Sequence, residues 1–330
     1  MEALTLHPLA TPDLSAWAEA LTLWRPDSPR SAAELAERDR LRTSEEVSRR
    51  FWVCGSGGQR IGVLELETPR AENQPGWLQL RVGTPHPELL PRLLDLGVRQ
   101  ARDLQEAAML IARVREDRPE LASHLDCGFT EYGRMFSSHL DLTRLDVAEA
   151  ADKAAAVRAA GICILPLEQA TRAAGLGEFS TSRAAQRRLY DLVVSRLAAV
   201  PGAVASRPWP FEVWQARAAE RYGSALVFVA VAPGGKWVGL TELFEGSLPG
   251  TLRTGLTGVE PQWQGRGVAY ALKLAALEAA QERGYRSADT MNHQANAPML
   301  AVNRALGFVP EPATVLLRRR LGPAGQEPEI

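Results

Sequence analysis

Gln264-Gly265-Arg266-Gly267-Val268-Ala269 is the segment of this 330-residue chain whose residue types and spacing lend themselves most directly to chemistry. Two glycines let a backbone approach an anion with no Cβ in the way. The N–H groups of a helix's first turn, reinforced by the helix dipole, point at whatever sits before them. The run Leu256-Thr257-Gly258-Val259 ahead of the glycines reads as a strand, and Glu260-Pro261 ends it. A strand that enters a glycine turn and opens a helix is a phosphate cradle, and a pyrophosphate is its natural occupant. The spacing is not that of a P-loop, which continues Gly-Lys-Ser/Thr. Nor is it a dinucleotide fingerprint, which needs three glycines at other intervals and an acidic residue about 20 positions on.

Helix-favouring residues follow from Val268 to about Arg283, with Val268, Ala271, Leu272, Ala275 and Ala279 on one apolar stripe and Gly284 placed to end the helix. A short strand is expected over Ser287–Met291, and then a helix opened by Asn296 that closes in Leu306-Gly307-Phe308. Taken together, Val259-Glu260-Pro261, Gln264-x-x-Gly267-x-Ala269 and the Asn296 to Phe308 segment resemble the coenzyme A signature and closing motif of the GNAT N-acetyltransferase superfamily. The resemblance covers the C-terminal third of the chain. It implies an acetyl-coenzyme A cosubstrate, no metal, and a binding set of Thr257, Gly258, Val259, Gln264, Gly265, Arg266, Gly267, Val268, Ala269, Asn292, Asn296 and Asn303. In that set, backbone groups of Thr257 and Val259 hold the pantetheine arm and an N–H polarises the acetyl carbonyl. The Arg266 side chain either binds the adenosine phosphate or faces water.

Asn303 departs from the family pattern. Many relatives carry Tyr there to protonate the leaving thiolate, and an amide has no useful pKa for that task. Either another group or water supplies the proton, or Asn303 only donates a hydrogen bond to sulfur. Attack on a thioester also needs an uncharged amine, so a base belongs in the groove. Glu242, acidic within the apolar run Val238-Gly239-Leu240-Thr241-Glu242-Leu243-Phe244, is the candidate. The expectation the sequence favours is a partly exposed edge-strand carboxylate paired with an arginine. Asn296 also suits a plain helix cap. Trp209, Phe211 and Trp214 fit an acceptor pocket less readily than ordinary core packing. Of the five histidines, His293 alone stands beside the motif residues.

The elements that must position these groups come in two sets. Leu78–Val82, the helix from Leu89 to about Leu104, the strand from Ala107 to Val114 and Leu125-Asp126-Cys127-Gly128-Phe129 repeat the order found later in the chain. Val82 precedes Val259 by 259 − 82 = 177 residues, and Gly128 precedes Gly307 by 307 − 128 = 179. Hairpins over Phe51–Cys54 with Arg60–Leu66, and Ala225–Val231 with Trp237–Phe244, match as well. The chain therefore reads as a tandem duplication. The expected fold is α/β, two tandem GNAT-like domains over residues 1–146 and 147–330, each a mixed, mostly antiparallel sheet flanked by helices. The tandem arrangement also resembles mycothiol synthase, without carrying that enzyme's acceptor over.

In the first copy, Gly83-Thr84-Pro85-His86-Pro87 replaces the cradle, and its prolines remove donors, so this domain is expected not to bind the cofactor. An Ala-rich helix over Val147–Ala160, capped by Gly161, is expected to link the halves past a boundary near Asp146. The tail from Gly322 to Ile330 is expected to fray. A net charge of −1 gives no basic field for nucleic acid. Three scattered cysteines argue against a disulfide framework or zinc site, and no apolar run reaches membrane-spanning length. The expectation is a cytoplasmic enzyme, monomer or homodimer, that acetylates the amine of a small molecule and engages neither nucleic acid nor membrane. A non-catalytic coenzyme A-binding regulator and a protein amine acetyltransferase are the alternatives.

Overall fold

A computed structural model describes residues 3–26, 29–40, 42–69, 74–104, 106–145, 155–201, 208–223, 225–246 and 249–322. The chain divides into two compact units. One comprises Met1–Arg134 with Pro312–Ile330, the other Met135–Glu311.

Among the described residues, the first unit carries a six-stranded sheet in the order β1 (Thr5–Pro8), β2 (Ser48–Cys54), β3 (Arg60–Glu67), β4 (Trp77–Gly83), β5 (Met109–Arg115) and the last described strand, Thr314–Arg320. Among its described strands only β4 and β5 pair in parallel, because a crossover helix, Leu90–Arg102, joins them. That helix lays Leu90, Leu93, Leu94, Val98 and Ala101 on the sheet, the spacing of one helical face. Trp17, Leu21 and Leu35 build a second cluster with Trp52 and Val63.

The second unit repeats the pattern. β6 (Thr130–Asp141) enters it from Met135 onward, followed in the chain by β7 (Cys163–Pro166), β8 (Leu226–Val231), β9 (Trp237–Glu245), β10 (Thr251–Val259) and β11 (Ser287–His293). In space the sheet runs β7, β8, β9, β10, β11, β6, with β10 and β11 the parallel pair and the two-residue β12 (Val309–Pro310) beside β6. Thr314–Arg320 is β13. The helix Val268–Glu282 is the crossover between β10 and β11. It packs Leu272, Ala276 and Ala280 into a cluster with Val238, Ala288 and Phe308. On another cluster, Leu189, Phe179 and Tyr222 meet Val229 and Leu240.

Each unit therefore takes its sixth strand from the other half of the sequence: β13 lies against β5 in the first, and β6 against β11 in the second. The units so defined differ from the sequence division at residue 146, because a compact body follows strand pairing and not chain order. The boundary near Asp146, the linker helix as far as 154 and the tail from 323 lie outside the described residues. Residues 155–159 are helical, and Gly161, at φ 76°, turns the chain out of that helix.

Candidate coenzyme A cradle and catalytic groove

The site begins where two parallel strands part. β10 pairs with β11 from Thr251–Ser287 to Arg253–Asp289 and no further, although β10 continues to Val259 and β11 to His293. β11 meanwhile stays with β6 along its whole length. The wedge between them has Thr254–Val259 on one side and Thr290–His293 on the other, with strand backbone on both sides. Pairing of β10 with β9 is broken between Thr254 and Thr257, and this bulge re-aims Gly255 and Leu256.

Pro261 ends β10 in a single 3₁₀ turn, and the glycines follow. Gly265 and Gly267 have φ of 73° and 80°, the left-handed region that other residues rarely adopt. A Cβ on Gly265 would meet no atom within 4 Å, so the backbone borders open space. Gly267 is the N-cap of the 15-residue helix Val268–Glu282, and no side chain caps it. Helix N–H groups thus point out of the turn. Gln264 turns back, its Nε2 donating to Val259 O at 3.0 Å, and Arg196 Nη1 donates to the same oxygen at 3.0 Å. The open glycine turn, the uncapped helix and the strand wedge fit the pyrophosphate and pantetheine of coenzyme A. Arg266 is exposed, with its guanidinium over the Trp263 ring at 5.2 Å.

Glu242 sits beside the bulge. It lies on β9, between β8 and β10, and is 2% exposed, so it is neither an edge residue nor a partly exposed one. Its Oε1 accepts from the Tyr222 hydroxyl at 2.7 Å and its Oε2 from the Leu256 N–H at 3.0 Å. Gly255 is required there, because a Cβ would come within 2.7 Å of Glu242 Oε2 and 2.5 Å of a Phe244 ring carbon. Phe211 and Trp214 do form a cluster, stacked on each other and edge-on to Tyr190, and Trp214 also meets Tyr222, the partner of Glu242. Trp209 is 43% exposed and contributes its carbonyl to Tyr190.

The first unit carries Glu65 at the same offset before Glu242, 242 − 65 = 177 residues, on its corresponding strand β3. Glu65 is fully buried, and its oxygens receive Arg50 Nε at 2.8 Å and Arg81 Nη1 at 2.8 Å from the two flanking strands. Burial pushes its pKa up, yet the guanidiniums of Arg81 and Arg50 outweigh that and hold it below the usual carboxylate value. This carboxylate is locked as an anion. At the cradle position, Pro87–Leu89 forms a 3₁₀ turn in place of glycines.

At the far side of the wedge, Asn303 Nδ2 donates to Asn292 Oδ1 at 2.7 Å, so two of the motif residues are bonded to each other. Asn296 caps its helix, its Oδ1 accepting from the Met299 N–H at 3.4 Å. His293 uses Nδ1 to accept the Ala295 N–H. Tyr222 and Lys273 were not singled out in the sequence. The helix Val268–Glu282 is buried on more than one face, including Tyr270, Lys273, Leu274 and Leu277, so the single stripe drawn from its small residues is too narrow. A lysine between leucines was the available signal. No group of three His, Cys, Asp or Glu converges as a metal site among the described residues, and no described helix is long and apolar enough to cross a membrane.

Residues 196–308 match the profile of the acetyltransferase (GNAT) family. Among solved structures, the chain resembles the tandem GNAT protein from the clavulanic acid biosynthesis pathway, solved without AcCoA. The TM-score is 0.67 at 22% identity, over 98% of this chain and 100% of that one. It also resembles a GCN5-related N-acetyltransferase from Sphaerobacter thermophilus, TM-score 0.67 at 17% identity, over 97% and 96%. At such identities the likeness shows the fold. No curated protein sequence matches the chain.

Proposed function

We propose, from the tandem GNAT fold and the match of residues 196–308 to the GNAT family, that this chain transfers an acetyl group from acetyl-coenzyme A to the amine of a small molecule. The second unit does the chemistry. When bound, acetyl-coenzyme A supplies an activated acyl carbon with a thiolate leaving group. The first-turn N–H groups after Gly267 hold its pyrophosphate, and the backbone of Thr257 to Val259 orients the pantetheine along the open edge of β10. Glu242 takes the ammonium proton of the acceptor, and a backbone N–H of β10 polarises the carbonyl oxygen on which charge develops. Asn292 and Asn303 close the wall on the sulfur side. The cytoplasm, where acetyl-coenzyme A is made and used, is the compartment this reading assigns.

The observation that carries the reading is the meeting, within one unit, of a strand wedge, a glycine-opened helix N-terminus and a buried carboxylate at a β-bulge. Asn303, standing where many relatives carry an acid, favours a second reading, a coenzyme A-binding regulator without transfer. Calorimetric titration of the full chain with coenzyme A should give one site per chain. Gly267→Pro should abolish it, since proline cannot adopt the positive φ. Two equivalent sites, or one surviving that substitution, would contradict the assignment.

A further inference from the structure

Lys273 is buried in the second unit and has no role in the acetyl transfer proposed above. It lies on the helix that opens at Gly267, is 2% exposed, and its Nζ makes no hydrogen bond among the described residues. The Nζ stands 5.0 Å from the centroid of the Phe308 ring. The N–H of Phe308 in turn donates to Asn303 O at 3.0 Å. Asn303 is also 2% exposed, and while its Nδ2 bonds Asn292, its Oδ1 is buried with no partner. The unpaired Nζ thus faces the ring of the residue whose backbone is bonded to Asn303, and the two side chains stand on helices in contact. Buried polar atoms left unpaired are costly, charged ones most of all, and a lysine's rotatable stem lets it reach a nearby acceptor.

We propose that Lys273 acts through Asn303 on the leaving thiolate: it donates to Asn303 Oδ1 in the working state and fixes the amide so that the second Nδ2 hydrogen, the one not given to Asn292, is offered to the sulfur. The inference rests on the acetyl-transfer reading and supplies what a missing acid leaves open. As the C–N bond forms and the C–S bond breaks, the electron pair stays on sulfur. The nitrogen's second proton passes to water as the amide forms, and the thiolate accepts the Asn303 N–H and takes a proton from water on release. Lys273 transfers none, and is a positioning residue. A cation behind the amide strengthens the amide as a donor.

Two further observations agree. In the first unit, which lacks the cradle, the positions at the duplication offsets are Leu96 and His124. His124 is buried, bonds Glu120 O at 2.7 Å, and is depressed by burial to about 4, so it is a neutral packing residue. Lys273 itself is pushed by burial down to about 7. Burial alone is the cause. The titratable groups on elements packed against its helix, Glu242 and Glu245 on β9, Arg253 on β10, Cys163 on β7, Arg144 and Arg304, contribute nothing to it.

The chain has three lysines, Lys153, Lys236 and Lys273, so NMR of protein labelled with ¹³Cε-lysine resolves each, with Lys273→Met giving the assignment. Lys273 should titrate near 7, and Asn303→Ala should move that midpoint by roughly half a unit or more, a coupling read without substrate. In steady-state kinetics, Lys273→Met should lower kcat about 10-fold, less than the 10²–10³ of a direct donor. KM for acetyl-coenzyme A should hold, and the kcat profile should lose the group titrating near 7. Lys273→Met placed on Asn303→Ala should cost nothing more, and thermal melts should show both variants folded. An ordinary lysine midpoint unmoved by Asn303→Ala, or additive kinetic effects, overturns the pairing while leaving acetyl transfer standing. Absence of transfer by the wild type to any amine overturns both.

Discussion

At the scale of single residues, the contrast between Glu65 and Glu242 shows how one inherited position serves two ends. Both are buried carboxylates on the third strand of their units, but Glu65 is clamped by Arg50 and Arg81, whereas Glu242 accepts from a phenol and a backbone amide. The bulge makes the difference. It removes a paired β10 residue from beside Glu242 and leaves Gly255 there, with no room for a Cβ. Gly255→Ala should therefore displace the carboxylate and lower turnover about 10²-fold, at the low end for loss of a general base. Affinity for coenzyme A should be kept, as calorimetry beside kinetics would show. Unchanged turnover would mean that the carboxylate's place is immaterial. Glu242 was visible as an acidic residue in an apolar run, but its surroundings were not. An edge carboxylate and a central one share the same local pattern, and Tyr222 comes from 20 residues upstream with no motif to mark it.

At the scale of elements, the crossover helix Val268–Glu282 combines an N-terminus built for an anion with a buried amine one and a half turns further on. With a folded-state pKa of about 7 against an ordinary 10.5, Lys273 binds fewer protons in the folded state than in the unfolded state between those values. Stability should therefore rise with pH across that window, by up to ~1.4 kcal/mol per pH unit, and this group's contribution should be flat below about 7, where both states carry the proton. Lys273→Met should abolish that slope and raise the melting temperature at neutral pH. Denaturant titrations at pH 7 and pH 9 check this, and an equal slope in the variant would show that Lys273 is hydrated. The helix, its glycines and the cap at Asn296 were legible because turn chemistry and capping are local. The parting of β10 from β11 was not, since it depends on which strand β11 prefers on its other side.

At the scale of the molecule, the duplication was legible from constant offsets, and the exchange of sixth strands was hidden. Alternation tells which face of a strand is buried and says nothing of which half of the chain supplies its neighbour. The exchange has a consequence for dissection. A fragment of residues 147–330 lacks Met135–Asp141 and leaves β11 without its antiparallel partner, and it leaves β13 without β5. Two long unpaired edges of this kind drive association. The fragment should be insoluble or polydisperse by light scattering, whereas residues 135–311 retain every strand pair of the second unit. A monodisperse 147–330 fragment would show that the exchanged strands are dispensable.

The central claim is that the second unit moves an acetyl group to an amine with Glu242 as base. Free thiol released from acetyl-coenzyme A, measured across a panel of small-molecule amines with wild type and Glu242→Gln side by side, tests it most directly. We predict amine-dependent release by the wild type and a fall of about 10²–10⁴-fold in the variant with coenzyme A affinity kept. Coenzyme A binding without amine-dependent release, or a Glu242→Gln variant as fast as the wild type, would contradict the account.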